Sequence, residues 1–491
     1  MTKPNSSDRD DRRVLKPSPV AALPPVPPLF RKIDWLAMAI TFGVVWSVYL
    51  LTLAPELTLE DSGELVTGAF YAGIPHPPGY PVWSIYSWLW TTLLPFGNMA
   101  WRVSVGQAFS GAMACGLLAL MVSRGSSMFM EGIEELKGMT GKWESAICLI
   151  SALAAGLILG LDGFMWKESV VVNRIAVTSV PWYLAVLACL LRWIYAPHQL
   201  RYAYWAAFLF GICMTSHQSL IVAALGIEVA IAVGNPKLGR DAFFGNFIIY
   251  LGDYIFLAIT GDHMSHNIGA KPGLLFLFNA IGIGSLVASI WLASRTKGLG
   301  TCWKPVLIMA GLWMLGVSCY LYMAVSGMTN PPMQWGYPRT VEGFFHAISR
   351  GQYEQPNPTN LVAEPLRFAS QLGMLVEGVA AEFTWVYIFI ALVPFVFFFK
   401  MQKRERAWLI ALTAMYICLG CLLTILLNPA PDKASADLLK VFLCSSHTIV
   451  ACLIGYGLAL TAAFMATHYQ KFRLWGLAGG IVAVVLALYC L

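Results

Sequence analysis

Runs of about twenty apolar residues, broken by short charged stretches, recur along the whole chain, and this spacing dictates the solvent in which it folds. They lie at 34–54, 103–123, 146–164, 178–195, 202–216, 218–233, 242–260, 273–294, 305–325, 383–400, 408–427, 441–466 and 474–491. Inside a bilayer a helix satisfies every backbone amide within its own run. The expected fold is therefore an all-α polytopic membrane protein with about thirteen transmembrane helices. Composition agrees, with 58% of residues hydrophobic and 12% charged. The net charge of +6 comes from Lys and Arg scattered between apolar runs, so no nucleic-acid partner is expected.

Lys and Arg fall in alternate connections, including Arg124, Lys137 and Lys142, then Arg192 and Arg201, Lys237 and Arg240, Arg295 to Lys304, and Lys400 to Arg406. The positive-inside rule puts these loops in the cytoplasm. The polar, Pro-rich residues 1–33 read as a disordered cytoplasmic tail, and 34–491 as the transmembrane domain. Two connections on the opposite face, 55–101 and 326–382, are long for a chain otherwise tightly stitched, and long loops in compact proteins carry function. Within the first, the aromatic segment 82–95 is too short to cross and reads as an interfacial or re-entrant helix shaping a lipid groove.

The first long loop concentrates Glu56, Glu60, Asp61 and Glu64 directly after an apolar run. Two readings fit: carboxylates capping a helix that begins near Ser62, with Glu64 completing a capping box, or a general base whose pKa partial desolvation lifts toward the working range. Asp61 is the first choice for that base and Glu64 the second. Twelve residues further, His76 opens the turn His-Pro-Pro-Gly-Tyr-Pro, which ends in Tyr80 and Pro81 and is rigid enough to hold a catalytic group. His76 suits a local hydrogen bond or a phosphate and acceptor contact equally.

Other candidates break the positive-inside pattern. Lys167 and Arg174 follow the third run, where ion pairing with Glu168 or snorkelling explains either residue alone. Trp335, Arg339 and His346 lie in the second long loop, and Arg339, set among Trp, Gly and Pro, suits a phosphate because its planar fork forms paired bonds. His217 and His447 sit in or beside apolar runs, where a hydrogen-bonded core histidine is the usual outcome. The chain has no P-loop, HExxH, GxSxG or CxxCH motif, which argues against ATPase, metalloprotease, lipase and cytochrome classes.

The stretch DSGELVTGAFYAGIPHPPGYPVW, continuing to PFGNMAWRVS, closely resembles the first outer loop of a bacterial membrane-protein family long catalogued only as a domain of unknown function. NPPMQWGYPRTVEGFFHAISRGQY resembles its later outer-loop signature, and SHQSL at His217 resembles its helix junction. Eukaryotic relatives include an endoplasmic-reticulum O-mannosyltransferase of receptor ectodomains, and the group is similar to the GT-C superfamily of lipid-phosphate-sugar glycosyltransferases. The resemblance implies a GT-C-like bundle in a bacterial inner membrane with Asp61 as base and Glu64 close by. It also implies a polyprenyl-phosphate sugar as donor and an exported protein or glycan as acceptor. Glu60, His76, Tyr80, Lys167, Arg174, His217, Trp335, Arg339 and His346 are the expected donor and substrate contacts. No cofactor is required, though the acidic loop offers oxygen ligands to a divalent cation. Where the family places an acidic residue and a tyrosine after the third run, this chain has Asn173 and Ile175. The rival reading is a transporter or flippase of a lipid-linked or anionic solute, which would carry charge deep in its spans and an internal repeat.

Overall fold

The computed structural model describes residues 27–139, 141–173, 175–353 and 356–469. Most of the expected tail, the run at 474–491 and Arg174 lie outside these residues.

Every described apolar run is helical, and among the described residues ten helices are long and apolar enough to cross a membrane. In chain order the first are α1 (Lys32–Leu51), α2 (Ser62–Phe70), α3 (Pro81–Leu93), α4 (Met99–Gly132), α5 (Gly141–Gly160), α6 (Gly163–Val170) and α7 (Ala176–Tyr195). α8 (Leu200–Ser216) and α9 (Ala223–Gly234) follow, then α10 (Pro236–Thr260), α11 (His266–Ala270), α12 (Pro272–Thr296), α13 (Trp303–Val317) and α14 (Leu321–Met328). The last are α15 (Val341–Ile348), α16 (Pro365–Val396), α17 (Lys403–Tyr416), α18 (Leu423–Leu427) and α19 (Lys433–Thr467). The runs at 202–216 and 218–233 are shorter than full spans: α8 has 17 residues, and a tight turn at Gln218–Val222 leads into α9. The second long loop is also shorter than expected. It ends at Glu364, because 365–383 is helix, and the run expected from 383 starts instead at a break in α16 where Thr384 takes φ 60° and ψ 157°.

α4 runs through the middle of the bundle. In its most apolar stretch 83% of residues are buried, against 6% in α10, so α10 presents its side chains outward. Small residues let neighbours approach α4 closely, as at Gly106, whose missing side chain leaves room for the Trp90 indole of α3. Tyr86 ties the same pair by donating to Gly106 O (2.6 Å). The turn between α3 and α4 is set by Asn98, whose side chain accepts from Trp101 N, and by Arg102, which donates to Thr91 O and Phe96 O.

The basic connections meet at one end. Arg31 pairs with Glu144 (2.8 Å), Lys400 with Glu135 (2.8 Å), and Tyr195 donates to Glu405 (2.8 Å). α1 leads from that end to the other, where Trp166 donates to Thr52 (2.8 Å) and the acidic loop begins.

Candidate active site

α2 begins at Ser62, as the sequence suggests, but capping does not explain its carboxylates. The Asp61 side chain makes no cap bond, Ser62 Oγ accepts from Thr58 N, and Glu64 turns toward the His76 turn. Glu64 Oε1 accepts from His76 N (2.6 Å) and lies 3.2 Å from His76 Nδ1, and the Trp335 indole reaches the same carboxylate as a donor. Burial disfavours the charge on Glu64, yet the bonds and charge of His76 outweigh it, so its pKa falls below the ordinary value. The expected rise does not occur at Glu64, which is a clamp on the turn. Asp61 is exposed. One ligand atom each from Asp61, Glu64 and His76 lies within 4.8 Å of the others, a mixed set suited to a divalent cation.

The turn itself is tightly seated. Gly79 (φ 86°) lies against Met323 so closely that a Cβ would overlap the sulfur. Tyr80 takes the left-handed conformation (φ 41°), meets the His76 ring edge-on at 5.4 Å and stacks near His217 at 6.2 Å. Burial pushes the Tyr80 phenol up to about 12, so it stays protonated through the neutral range.

The second long loop pairs directly with this turn. Ile74 N donates to Met333 O (2.8 Å), Trp335 N donates to Ile74 O (3.2 Å), and Ser326 donates to Ala72 O (2.6 Å). These bonds bring Trp335 to the carboxylates. Arg339 and His346 do not follow it. Arg339 is exposed, stacking on Tyr337 with its guanidinium 5.5 Å from the ring centroid, and His346 is exposed beside Gly351. The arginine that enters the site is Arg350, passed over as a contact by sequence reasoning. Its guanidinium stacks on Tyr353 at 4.9 Å, its charge is felt at Tyr80 and His217, and Tyr353 in turn feels Asp61 and Glu64.

Arg350 and Tyr353 line a cavity of about 660 Å³ whose other walls include Ser219, Ile221, Val222, Leu274, Leu423, Leu426, Leu427 and Phe442. It combines one cation with a largely apolar lining. His217, held by Ser219 (2.6 Å) and packed on Phe442 (5.8 Å), stands beside it. A second cavity, of about 510 Å³, is charged: Glu60, Lys167, Glu168, Glu382, Asp437 and Lys440 line it. Beside it lies Asp162, whose pKa burial raises well above the ordinary value, and whose carboxylate accepts from Met165 N. His447 is buried between Phe164 and Phe383, and neither ring nitrogen has a partner among the described residues, so it is core without the expected hydrogen bond. α3, with α4 and α7, encloses a smaller apolar cavity of about 270 Å³ that includes Trp83, Phe109 and Trp182.

Residues 61–238 match the family model described as the protein O-mannosyl-transferase TMEM260 N-terminal domain. This part of the chain is related to that family. The mouse protein O-mannosyl-transferase TMEM260 is 35% identical over 127 residues, which are 24% of this chain and 18% of the mouse protein. The Dictyostelium discoideum protein of the same name is 30% identical over 77 residues, 15% of this chain and 9% of that protein. The chain thus matches less than a fifth of these curated relatives' length. The TMEM260-related stretch contains Asp61, Glu64, His76, Tyr80, Lys167 and His217, whereas Trp335, Arg350 and Tyr353 reach the site from outside it.

Proposed function

We propose that the chain is a GT-C-type glycosyltransferase that takes a sugar, mannose by its relatives' name, from a polyprenyl phosphate and transfers it to a protein serine or threonine hydroxyl. One observation carries this reading: Asp61, Glu64 and His76 converge with Arg350 and Tyr353 beside a cavity that joins a cation to apolar walls. A lipid phosphate needs both features, a guanidinium for its head and leucines for its tail.

In this reading the donor phosphate rests against Arg350 rather than Arg339, and the isoprenoid runs along Ile221, Leu423, Leu426 and Leu427. Bound substrates cover Asp61. Its carboxylate takes the acceptor's proton as the hydroxyl oxygen attacks the anomeric carbon from the face opposite the phosphate. The carbon–oxygen bond to phosphate breaks, its electron pair leaves with the polyprenyl phosphate, and Arg350 offsets the added negative charge. The anomeric configuration inverts. Asp61 afterwards loses its proton to water. Glu64 keeps the His76 turn in place, and through it Tyr80. The same Asp61, Glu64 and His76 would hold a divalent cation if one assisted the phosphate, but the reaction as drawn does not call for it.

On this reading, the end carrying Arg31, Lys137 and Lys400 faces the cytoplasm, as the positive-inside rule favours, and the site lies on the opposite face of what the resemblance to bacterial proteins makes a bacterial inner membrane. No nucleotide-sugar pool exists there, which is why the donor must be a lipid. The deciding experiment is transfer of radiolabelled mannose from synthetic polyprenyl-phosphate mannose to envelope protein, comparing wild type with Asp61→Asn and Glu64→Gln. Loss in folded Asp61→Asn supports a transferase with that base. A wild type that transfers nothing from several polyprenyl-phosphate sugars, yet moves such a lipid between leaflets of liposomes, turns the reading to a transporter.

A further inference from the structure

α9 leads away from the candidate active site to a cavity of a different kind. Val222, just before α9, lines the cavity of Arg350, whereas Val233, near the far end of α9, lines one of about 570 Å³ in the seam between α12 and α17. The seam lies at the basic end of the bundle: Thr296 in its lining accepts from Arg240 (2.9 Å), and Phe398 stands two residues before Lys400. α12 packs mainly on α10 and scarcely touches α17, which leaves the seam open between them. Arg295 lines it from α12, and Lys403 and Arg406, one turn apart, line it from α17. Among the described lining residues there is no carboxylate. Other cations at this end are matched, Arg31 with Glu144, Arg124 with Glu131, Arg240 with Asp241 and Lys400 with Glu135. The three in the seam have no ion partner among the described residues, and Arg295 stacks on Trp291 with its guanidinium 4.7 Å from the ring centroid. Snorkelling accounts for one cation at one helix end, but not for cations of two separated helices in a single lining.

We infer that this seam binds an anionic phospholipid of the surrounding bilayer, with its phosphate held by Arg295, Lys403 and Arg406 and the upper part of its chains against Phe243, Leu292 and Ile410. Guanidinium forks pair with phosphate oxygens, and basic pockets between transmembrane helices select anionic headgroups. The indole of Trp291 marks the level, since tryptophan rings sit where headgroups meet chains. A soluble anion would match the cations and leave the apolar walls without contacts, whereas acyl chains fill them. A zwitterionic lipid would bring a cation of its own to three others. A sugar donor seated here would lie away from Asp61 and Arg350 and could not react. The binding is independent of the transferase reading.

The test is native mass spectrometry of the purified full chain in detergent, titrated with phosphatidylglycerol or with phosphatidylcholine of the same acyl chains. Wild type should bind phosphatidylglycerol about tenfold or more tightly. Arg295 and Lys403 are exposed, and replacing both, Arg295→Gln with Lys403→Gln, should weaken phosphatidylglycerol about tenfold to thirtyfold and leave phosphatidylcholine within about twofold. The control is Lys142→Gln with Lys304→Gln, which removes the same charge from the same end outside the seam and should shift either lipid by less than about twofold. Equal affinity for the two lipids overturns the inference, and so does an equal loss in both double variants, which would make general surface charge the cause. If the seam variant does not fold, Lys403→Gln alone should still weaken phosphatidylglycerol about threefold to fivefold, and no change there overturns the inference. Competition by glycerol phosphate as strong as that by phosphatidylglycerol would assign the seam to a free phosphate. A polyprenyl phosphate that binds tenfold more tightly or better would assign it to a carrier lipid, and either result overturns the choice of phospholipid.

Discussion

The two long loops reach the same site by different means. In the first, prolines, a left-handed glycine and the Glu64 clamp fix the backbone, so His76 and Tyr80 stand where their place in the turn implies. In the second, the chain crosses the turn in one short pairing at Ile74 and Gln334 and then leaves it. Trp335 stays with the site, Arg339 and His346 face outward, and Arg350 returns after α15. A residue's surroundings in sequence locate it only where local bonds fix the backbone. Elsewhere, tertiary pairing decides which of several similar side chains enters.

The largest effect should come from the loop that is fixed. Asp61→Asn keeps the size of the side chain and removes the proton acceptor, so transfer should fall by about 10²–10⁴-fold with KM nearly unchanged. Measured initial rates above a tenth of wild type would move the base elsewhere, Glu64 being the next candidate.

The next two measurements set one arginine against the other. Arg350→Ala should lower kcat by about 10²-fold, the typical loss when a preorganised positive group facing a developing charge is removed. Arg339→Ala should stay within about threefold, since an exposed cation stacked on Tyr337 contributes little. The reverse ranking would show that donor binding redraws the second loop.

Glu64→Gln tests the clamp through stability rather than rate. Removing one side of a half-buried, charge-assisted bond should cost about 1–3 kcal/mol in a denaturation midpoint at neutral pH. The Glu64 pKa is lowered on folding, so its contribution is complete above the unfolded carboxylate value of about 4.3 and is lost as pH falls through the lowered one. Wild type and variant should therefore draw together as pH falls below the unfolded value of about 4.3, and converge once it is below the lowered one. A gap that persists there would mean that the loss is one of packing.

The fold was largely legible because the bilayer imposes a single period: each described apolar run became helical, and α3 stopped short of a span as its length required. The site was legible where a motif is local. Asp61, Glu64 and His76 come together from one short segment, in which α2 and the turn after it fold His76 back onto Glu64. Arg350 was hidden for a physical reason. It sits in the left-handed conformation (φ 56°) past the end of a short amphipathic helix, where Gly351 announces a turn but not the direction of the arginine, which is aimed by contact with Tyr353. The charged cavity was hidden too, since Glu60, Lys167, Glu382 and Lys440 are far apart in sequence and meet only when α6, α16 and α19 pack.

The smallest expected effect concerns a cation. Asp61, Glu64 and His76 have the spacing to bind one, yet Glu64 is already engaged by the His76 amide and ring and by the Trp335 indole. A divalent ion would have to displace the ring from that carboxylate, exchanging one satisfied interaction for another. In the proposed reaction Arg350 already supplies the positive charge that the leaving phosphate requires. Prolonged treatment with EDTA should accordingly change the transfer rate by less than about twofold, measured beside a sample to which magnesium or manganese is returned. A loss of about tenfold or more, restored by manganese and abolished together with manganese binding in His76→Ala, would make the first loop a metal centre. The contrast between the loops would then be one of ligand against lipid anchor: the rigid turn would hold the ion because its backbone cannot yield, and the second loop would bring the arginine to a charge already half neutralised.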